Sequence, residues 1–224
     1  MDAVQILVAS RASLPELAAV MAEAFCTEGV HSHLFDFSRR HARDGLRRAL
    51  RVELESAVSE GDSILAAHTD GRIVGGAEVN GSRRQPAGVR MVQGLRWLCA
   101  AAPLLPAVRW RNLPAFHRAS SLSRPITGAY YTLPALTVHP AFQRRGIGSM
   151  LLRAVHELVE RDSGALGVYL YTGEQKNQLF YEHAGYQTVE MRRAGALTVY
   201  HMFRTNGGGF RTTDGGERCR PVSG

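Results

Sequence analysis

The apolar positions of this chain change period several times, and each change marks a new element. VQILVA (residues 4–9) is a short apolar run bounded by polar residues and predicts a strand. Leu14, Leu17, Val20, Met21 and Ala24 then recur at helical spacing, which predicts a helix ending near Phe25. Ser13-Leu-Pro-Glu16 reads as its start: a capping box, with proline in the first turn. Residues 26–38 have no period and predict a loop. Leu46, Leu50, Leu54 and Val58, four residues apart, predict a second helix over about 39–59. SILAAH (63–68) and RIVGGAEVN (72–80) predict two strands joined at Asp70-Gly71, a strong hairpin-turn pair.

Residues 81–128 break this rhythm. Met91, Leu95, Leu98 and Ala102 predict an amphipathic helix, which Pro103, Pro106 and Pro114 then interrupt. The segment has too little apolar content to close a core of its own and reads as an insertion. AYYTLPALTV (129–138) is apolar on both faces, as a central strand covered by helices should be. Leu151, Leu152, Val155, Leu158 and Val159 form the stripe of the next helix, and LGVYLYT (166–172) is a further strand. A short helix over about 175–184 ends at Gly185, which suits a left-handed C′ position. Residues 187–193 and 196–204 predict a closing hairpin. The tail from Asn206 has six glycines and almost no large apolar residues, so it is expected to be disordered. The order predicts an α/β (α+β) fold: one domain over 1–205, a helical arginine-rich insertion at about 81–128, and a tail at 206–224.

Composition narrows the class. At 224 residues, 45% apolar and 21% charged, the chain looks like an ordinary soluble globular protein. No stretch has the roughly 18 uncharged apolar residues of a membrane span, and MDAVQILVAS lacks the basic and hydrophobic regions of a signal peptide. Cys26, Cys99 and Cys219 are odd in number and widely spaced, which fits neither a disulfide framework nor a metal knuckle; a cytoplasmic location is the expectation. The formal charge is +7, with Lys176 the only lysine. Residues 81–125 hold eight arginines and no acid, which reads either as a surface facing an anion or as a solvated face. No motif supports a nucleic-acid partner.

Candidate chemistry concentrates in QRRGIG (143–148), between an apolar strand and an amphipathic helix. Such a joint leaves backbone N–H groups unpaired and aimed at one point, where the helix dipole adds positive potential. Gly146 and Gly148 let a phosphate approach the backbone, Arg144 and Arg145 add forked donors, and Ser149 adds a hydroxyl. The local chemistry predicts a phosphate or pyrophosphate site. The loop is neither GxxxxGK[ST] nor a dinucleotide fingerprint.

Val138-His-Pro140 followed by Gln143-x-x-Gly146-x-Gly148 resembles the V-x-P-x-x-[QR]-x-x-G-x-[GA] motif of the GNAT N-acetyltransferases. Asn177-x-x-Phe180-Tyr181-x-x-x-Gly185-Tyr186 resembles that superfamily's N-x-x-F-Y-x-x-x-G-[FY] segment. The resemblance covers roughly residues 4–204, its motifs lie within 131–186, and within the superfamily it is nearest to the puromycin N-acetyltransferase pattern. It implies the GNAT fold, a mostly antiparallel mixed sheet of about seven strands whose splayed parallel pair holds acetyl-CoA. The cofactor residues it implies are Leu136, Thr137 and Val138 by backbone contact, Gln143, Arg144, Arg145, Gly146, Ile147, Gly148 and Ser149 around the pyrophosphate, and Asn177 and Phe180. Tyr181 matches the general acid that would protonate the departing thiolate. The acyl donor would be acetyl-CoA and the acceptor a small primary amine, with no metal, no nucleic acid and no membrane span, in a monomer or homodimer.

The chain departs from the pattern in two places. Where relatives carry glutamate on the strand before the short helix, this chain reads Leu170-Tyr171-Thr172, and the position seven before the tyrosine is Glu174 rather than asparagine. The base is left open between Glu78, His139 and a water chain. Asp36, in the loop that lines the acceptor site in this family, joins Glu78, Trp97 and Tyr171 as an acceptor-side candidate, and the insertion is expected to cover that site as a partial lid. His31 and His33 form an H-x-H pair without a clear third metal ligand. The other readings are an acyl-CoA sensor without turnover and a protein or peptide N-acetyltransferase.

Overall fold

The computed structural model describes residues 3–81 and 87–206, the side chains of 87–90 excepted. The tail beyond Asn206 and Arg83 and Arg84 of the insertion, on which expectations were placed, lie outside the described residues. Among these residues no helix is long and apolar enough to cross a membrane.

In chain order the elements are β1 (Gln5–Val8), α1 (Leu14–Phe25), α2 (Gly29–Leu34), α3 (Ala42–Glu60), β2 (Ser63–Thr69), β3 (Arg72–Asn80), α4 (Ala87–Ala101), α5 (Leu113–Ala119), β4 (Tyr131–Val138), α6 (Ile147–Glu160), β5 (Gly167–Thr172), α7 (Gln175–His183), β6 (Gln187–Ala194) and β7 (Leu197–Thr205). Seven strands form one open sheet in the order β1-β2-β3-β4-β5-β7-β6. All pairs are antiparallel except β4 with β5. The Asp70-Gly71 turn has positive φ at both residues (50° and 73°), the geometry of a two-residue hairpin.

Two apolar layers cover the sheet. Leu14, Leu17 and Met21 of α1 and Leu54 of α3 pack on Ile64 and Ala66 on one face. Leu151, Leu152 and Val155 of α6 pack on Val74, Val168 and Met202 on the other. The helical stripes read in the sequence point at these layers, and burial of a side chain of this size stabilises by roughly 1.5–3 kcal/mol each.

Two local readings give way to tertiary context. Residues 26–38 are not all loop: α2 forms within them, its first turn closed by the Glu28 side chain, which accepts the His31 N–H at 3.1 Å. The Ser13–Glu16 capping box does not form. Ser13 sits at φ −87°, ψ −13°, already helical, so its hydroxyl turns back to donate to the Ser10 carbonyl at 2.8 Å. Glu16 accepts instead from the Ile73 N–H at 3.0 Å, at the register shift of β2 and β3.

The insertion is stitched to the sheet at its C-terminal end. His201, fully buried on β7, takes the Tyr169 hydroxyl at Nδ1 (2.6 Å) and donates from Nε2 to the Ala119 carbonyl of α5 (2.7 Å). Asn112 donates to the His33 carbonyl at 2.7 Å, and Arg192 to that of Ser121 at 2.7 Å. The stripe of α4 is the exception to the pattern reading: Met91, Leu95 and Leu98 face outward, and the helix rests on α3 through its other side.

Candidate active site

β4 holds the site open because its two neighbours treat it differently. It pairs with β3 as far as Val138, opposite Gly75. With β5 it pairs only at Tyr131–Val168 and Thr132–Tyr169, and beyond these the two strands part. At the start of the gap β4 advances by three positions, from Thr132 to Ala135, where β3 advances by two, from Asn80 to Glu78. Pro134 sits in this bulge, where a residue without an N–H removes no ladder bond.

The direction of the free backbone groups follows from the alternation of an antiparallel ladder. The His139 N–H donates to the Val74 carbonyl at 2.8 Å, so alternate groups of β4 face β3 and those of Leu136 and Val138 face the gap. Gln143 already uses one of them, its amide donating to the Val138 carbonyl at 3.1 Å.

The gap runs into the turn that follows. Arg144 and Gly146 have φ of 60° and 78°, and Gly146 is the left-handed N-cap of α6. The first backbone bond of that helix is Met150 N–H to the Gly146 carbonyl (3.1 Å), so among the described residues the N–H groups of 144–149 have no partner. A Cβ on Gly148 would stand 3.6 Å from Phe180 and 3.9 Å from Val138, inside the space those side chains border. Gap and turn together form a cleft of about 700 Å³. Leu136, Thr137, Val138, Gln143, Arg144, Gly146, Ile147, Gly148, Ser149, Asn177, Phe180 and Tyr181 all line it. Arg145 does not; its guanidinium lies over the Phe142 ring (5.1 Å) and donates to the Ala141 carbonyl, leaving only its backbone toward the turn.

Tyr181 is 9% exposed and meets the rings of Phe180 and Tyr186 edge-on at 5.2 and 5.5 Å. Burial, reinforced by the nearby negative charge of Glu28, raises its phenol above the ordinary tyrosine range, so it keeps its proton. The Thr137 hydroxyl is buried, lines the cleft and has no partner among the described residues.

The far wall holds residues the motifs did not single out. Glu174, at the position where the family pattern has asparagine, accepts the Gly29 N–H at 2.6 Å and pairs with Lys176 at 2.8 Å, tying α2 to α7 across the cleft. Glu28 also lines the cleft. Burial alone would raise its carboxyl, but the hydrogen bond and charge of His31, whose Nδ1 is 2.8 Å away, hold it low. Glu28 belongs to no recognisable pattern, so sequence carried no signal for it, and Glu174 was marked only as a departure from the family pattern.

The acceptor-side candidates separate. Glu78 is 3% exposed on the α3 face of β3, held by the Asn80 amide at 2.9 Å. Burial first, and then the charge of Glu53, push its carboxyl up to about 8. Glu53, on α3, is raised by burial too, against the pull of His31 and a hydrogen bond with Trp97. Trp97 therefore reaches the carboxylate pair rather than the cleft. Tyr171 meets Phe116 edge-on at 6.3 Å; burial and the charges of Glu28 and Glu53 raise its phenol. Asp36 stands apart, half-buried and bonded to Ser38 and Arg39. His139 is committed elsewhere, its Nε2 2.7 Å from Glu23. Glu53 went unmarked in sequence because it sits inside a regular helical stripe between Leu50 and Leu54.

Comparison with known proteins agrees with the fold. No curated protein matches the chain. Several solved structures share its fold. The histone acetyltransferase HPA2 and related acetyltransferase from Corynebacterium glutamicum superposes with a TM-score of 0.64 at 17% identity, covering 93% of this chain and 99% of that one. PaiA N-acetyltransferase from Thermoplasma acidophilum, in complex with coenzyme A, gives 0.57 at 16%, covering 91% and 99%. Ribosomal-protein-alanine N-acetyltransferase from Brucella melitensis gives 0.54 at 18%, covering 90% and 99%. The chain thus shares the fold of these solved structures, and the Acetyltransferase (GNAT) domain family matches its residues 120–188, the segment that holds β4, the glycine turn, β5 and Tyr181.

Proposed function

We propose that the protein transfers an acetyl group from acetyl-CoA to a primary amine of a small molecule, within a ternary complex. The observation that carries this reading is the cleft: a parted parallel strand pair leads straight into an unpaired N–H turn at a helix start. That shape suits a long donor with a diphosphate at one end and a thioester at the other. The N–H groups of 144–149, with Arg144 and the Lys176 ammonium nearby, meet the diphosphate. The pantetheine arm lies in the gap like an added strand, on the backbone of Leu136 and Val138. Asn177 hydrogen-bonds the arm, and Phe180 packs beside it.

The acceptor approaches from the face that carries α2 and α3. Its neutral nitrogen attacks the thioester carbonyl, and the Val138 N–H stabilises the oxyanion. As the carbon–sulfur bond breaks, the Tyr181 hydroxyl gives its proton to sulfur. A phenol held above its usual range is a reluctant acid, so proton transfer accompanies bond cleavage. The attacking amine loses its proton to Glu78, directly or through water. An amine that arrives as a cation gives one proton to water before it attacks, and Glu53 and Glu78 stand on the side from which it comes, with Trp97 and Tyr171 flanking that approach. The fold itself does not select the acceptor; the puromycin-type pattern of Asn177 favours an aminated antibiotic or metabolite.

The test is thiol release from acetyl-CoA over a panel of amines, paired with calorimetry of coenzyme A binding. Turnover with at least one amine is expected. Tyr181→Phe is expected to lower kcat about 100-fold or more, in the range of general acid catalysis, with coenzyme A affinity unchanged. Coenzyme A binding without release on any amine favours the sensor reading, and no heat of binding overturns both.

A further inference from the structure

The parted strand β4 carries a polar side chain that the protein itself leaves unused. Thr137 is 5% exposed, its hydroxyl has no partner among the described residues, and it lines the cleft. Valine has the same shape and suits a strand equally well. A buried hydroxyl without a partner costs stability that a buried methyl does not. Such a group calls for a partner that comes with a ligand.

The face of the sheet on which it stands says which ligand. Side chains alternate along a strand. A Cβ on Gly148 of α6 would meet Leu136 and Val138 at 4.0 and 3.9 Å, so those two face α6 and the glycine turn. Thr137, between them, faces the other way. Its cross-strand partner is Gly76, where a Cβ would run into Leu17 of α1 at 2.5 Å. Glu78 stands on the same face, opposite Ala135, which packs in the layer of Leu17. On this side Ala24, Phe25, Thr27 and Glu28 border the cleft, where α1 passes into α2. The polar side chains of that border are committed: the Thr27 hydroxyl donates to the Ala24 carbonyl at 2.9 Å, and Glu28 accepts the His31 N–H at 3.1 Å. The turn of 144–149 and the Thr137 hydroxyl thus lie on opposite sides of β4, the first suited to the donor's diphosphate and the second to the acceptor.

We propose that the Thr137 hydroxyl accepts a hydrogen bond from the attacking amine and so aims the nitrogen lone pair at the thioester carbonyl; this rests on the acetyl-transfer reading. A neutral primary amine has two N–H groups and one lone pair. An oxygen that accepts from an N–H leaves the lone pair free to attack, whereas a donor to the nitrogen would occupy it. As the carbon–nitrogen bond forms, the nitrogen becomes cationic, so its bond to Oγ1 strengthens toward the transition state. One N–H stays with Thr137 while the other gives its proton to Glu78, and the departing sulfur takes the proton of Tyr181.

Thr137→Val and Thr137→Ser test it in the full chain, by amine kinetics from thiol release, calorimetry of coenzyme A binding and thermal melts without ligand. Thr137→Val is expected to lose about 10-fold or more in kcat/KM for the amine, the worth of one hydrogen bond. It is expected to bind coenzyme A as the wild type does and to melt no lower. Thr137→Ser keeps the hydroxyl and is expected to recover most of the lost kcat/KM. Wild-type kinetics in Thr137→Val overturn the proposal and leave the acetyl-transfer reading standing. So does a loss that Thr137→Ser shares in full, which assigns the effect to packing. Weaker coenzyme A binding in Thr137→Val assigns the hydroxyl to the donor, and a lower Tm shows it satisfied within the free protein; each overturns the proposal. A wild type that turns over no amine overturns both readings.

Discussion

Glu78 shows how far a single residue's chemistry is set by its surroundings. An aspartate or glutamate on a strand is ordinarily ionised and solvated. Here the backbone directs it to the covered face of β3, beside a second carboxylate, and its titration moves up to about 8. Because the folded value is raised above the unfolded one, the native state gains from the protonated carboxyl at acid pH and loses that advantage as pH rises through about 8. Glu78→Gln is therefore expected to raise Tm at pH 9 while changing it little at pH 4, measured by thermal melts at both. In the wild type, kcat/KM for an amine is expected to climb through pH 8 as this base ionises, and in Glu78→Gln that limb is expected to vanish. A variant that keeps the limb assigns it to the acceptor's own titration. Residue-scale logic also explains why Tyr181 reads as a donor and not a base: burial keeps its proton in place across the working range.

At the scale of elements, glycine placement decides how closely parts approach. Gly146 has φ 78° and caps α6, with nothing within 4 Å of where a Cβ would stand. Space is not the constraint there; backbone conformation is. Gly146→Val is expected to weaken coenzyme A binding at least about 10-fold by calorimetry, since a β-branched residue resists this conformation and displaces the N–H groups proposed to meet the diphosphate. Gly45 poses the opposite case. It lies inside α3, where alanine would ordinarily gain about 1 kcal/mol, yet a Cβ there would be 2.6 Å from the backbone nitrogen of Leu104. Gly45→Ala is expected to destabilise by about 1–3 kcal/mol through overpacking, read in urea melts, because it pries the insertion off α3.

Over the whole molecule, what was legible in the sequence was what local spacing controls. The strands, the long helices and the Asp70-Gly71 turn follow from apolar period and turn chemistry, and the glycine turn followed from the types and order of Gln143 through Ser149. Other features depended on partners distant in sequence and carried no local mark. Glu16 bonds Ile73 rather than closing its own cap, Glu174 reaches Gly29 145 residues away, and His201 anchors Ala119 across 82. Glu53 and Glu78 lie on different elements, so their mutual influence exists only once α3 covers the sheet.

Two determinants of this protein thus separate by range. Sequence alone determined the order of the strands and long helices and the glycine turn after β4 with its unpaired N–H groups, because period, φ preference and helix-start N–H groups act over a few residues. Only the tertiary structure decided where β4 parts from β5, which carboxylates meet, and that the apolar side of α4 looks outward rather than in. Each of those depends on which surfaces are buried against each other, and burial is a property of the packed molecule and not of any stretch of it.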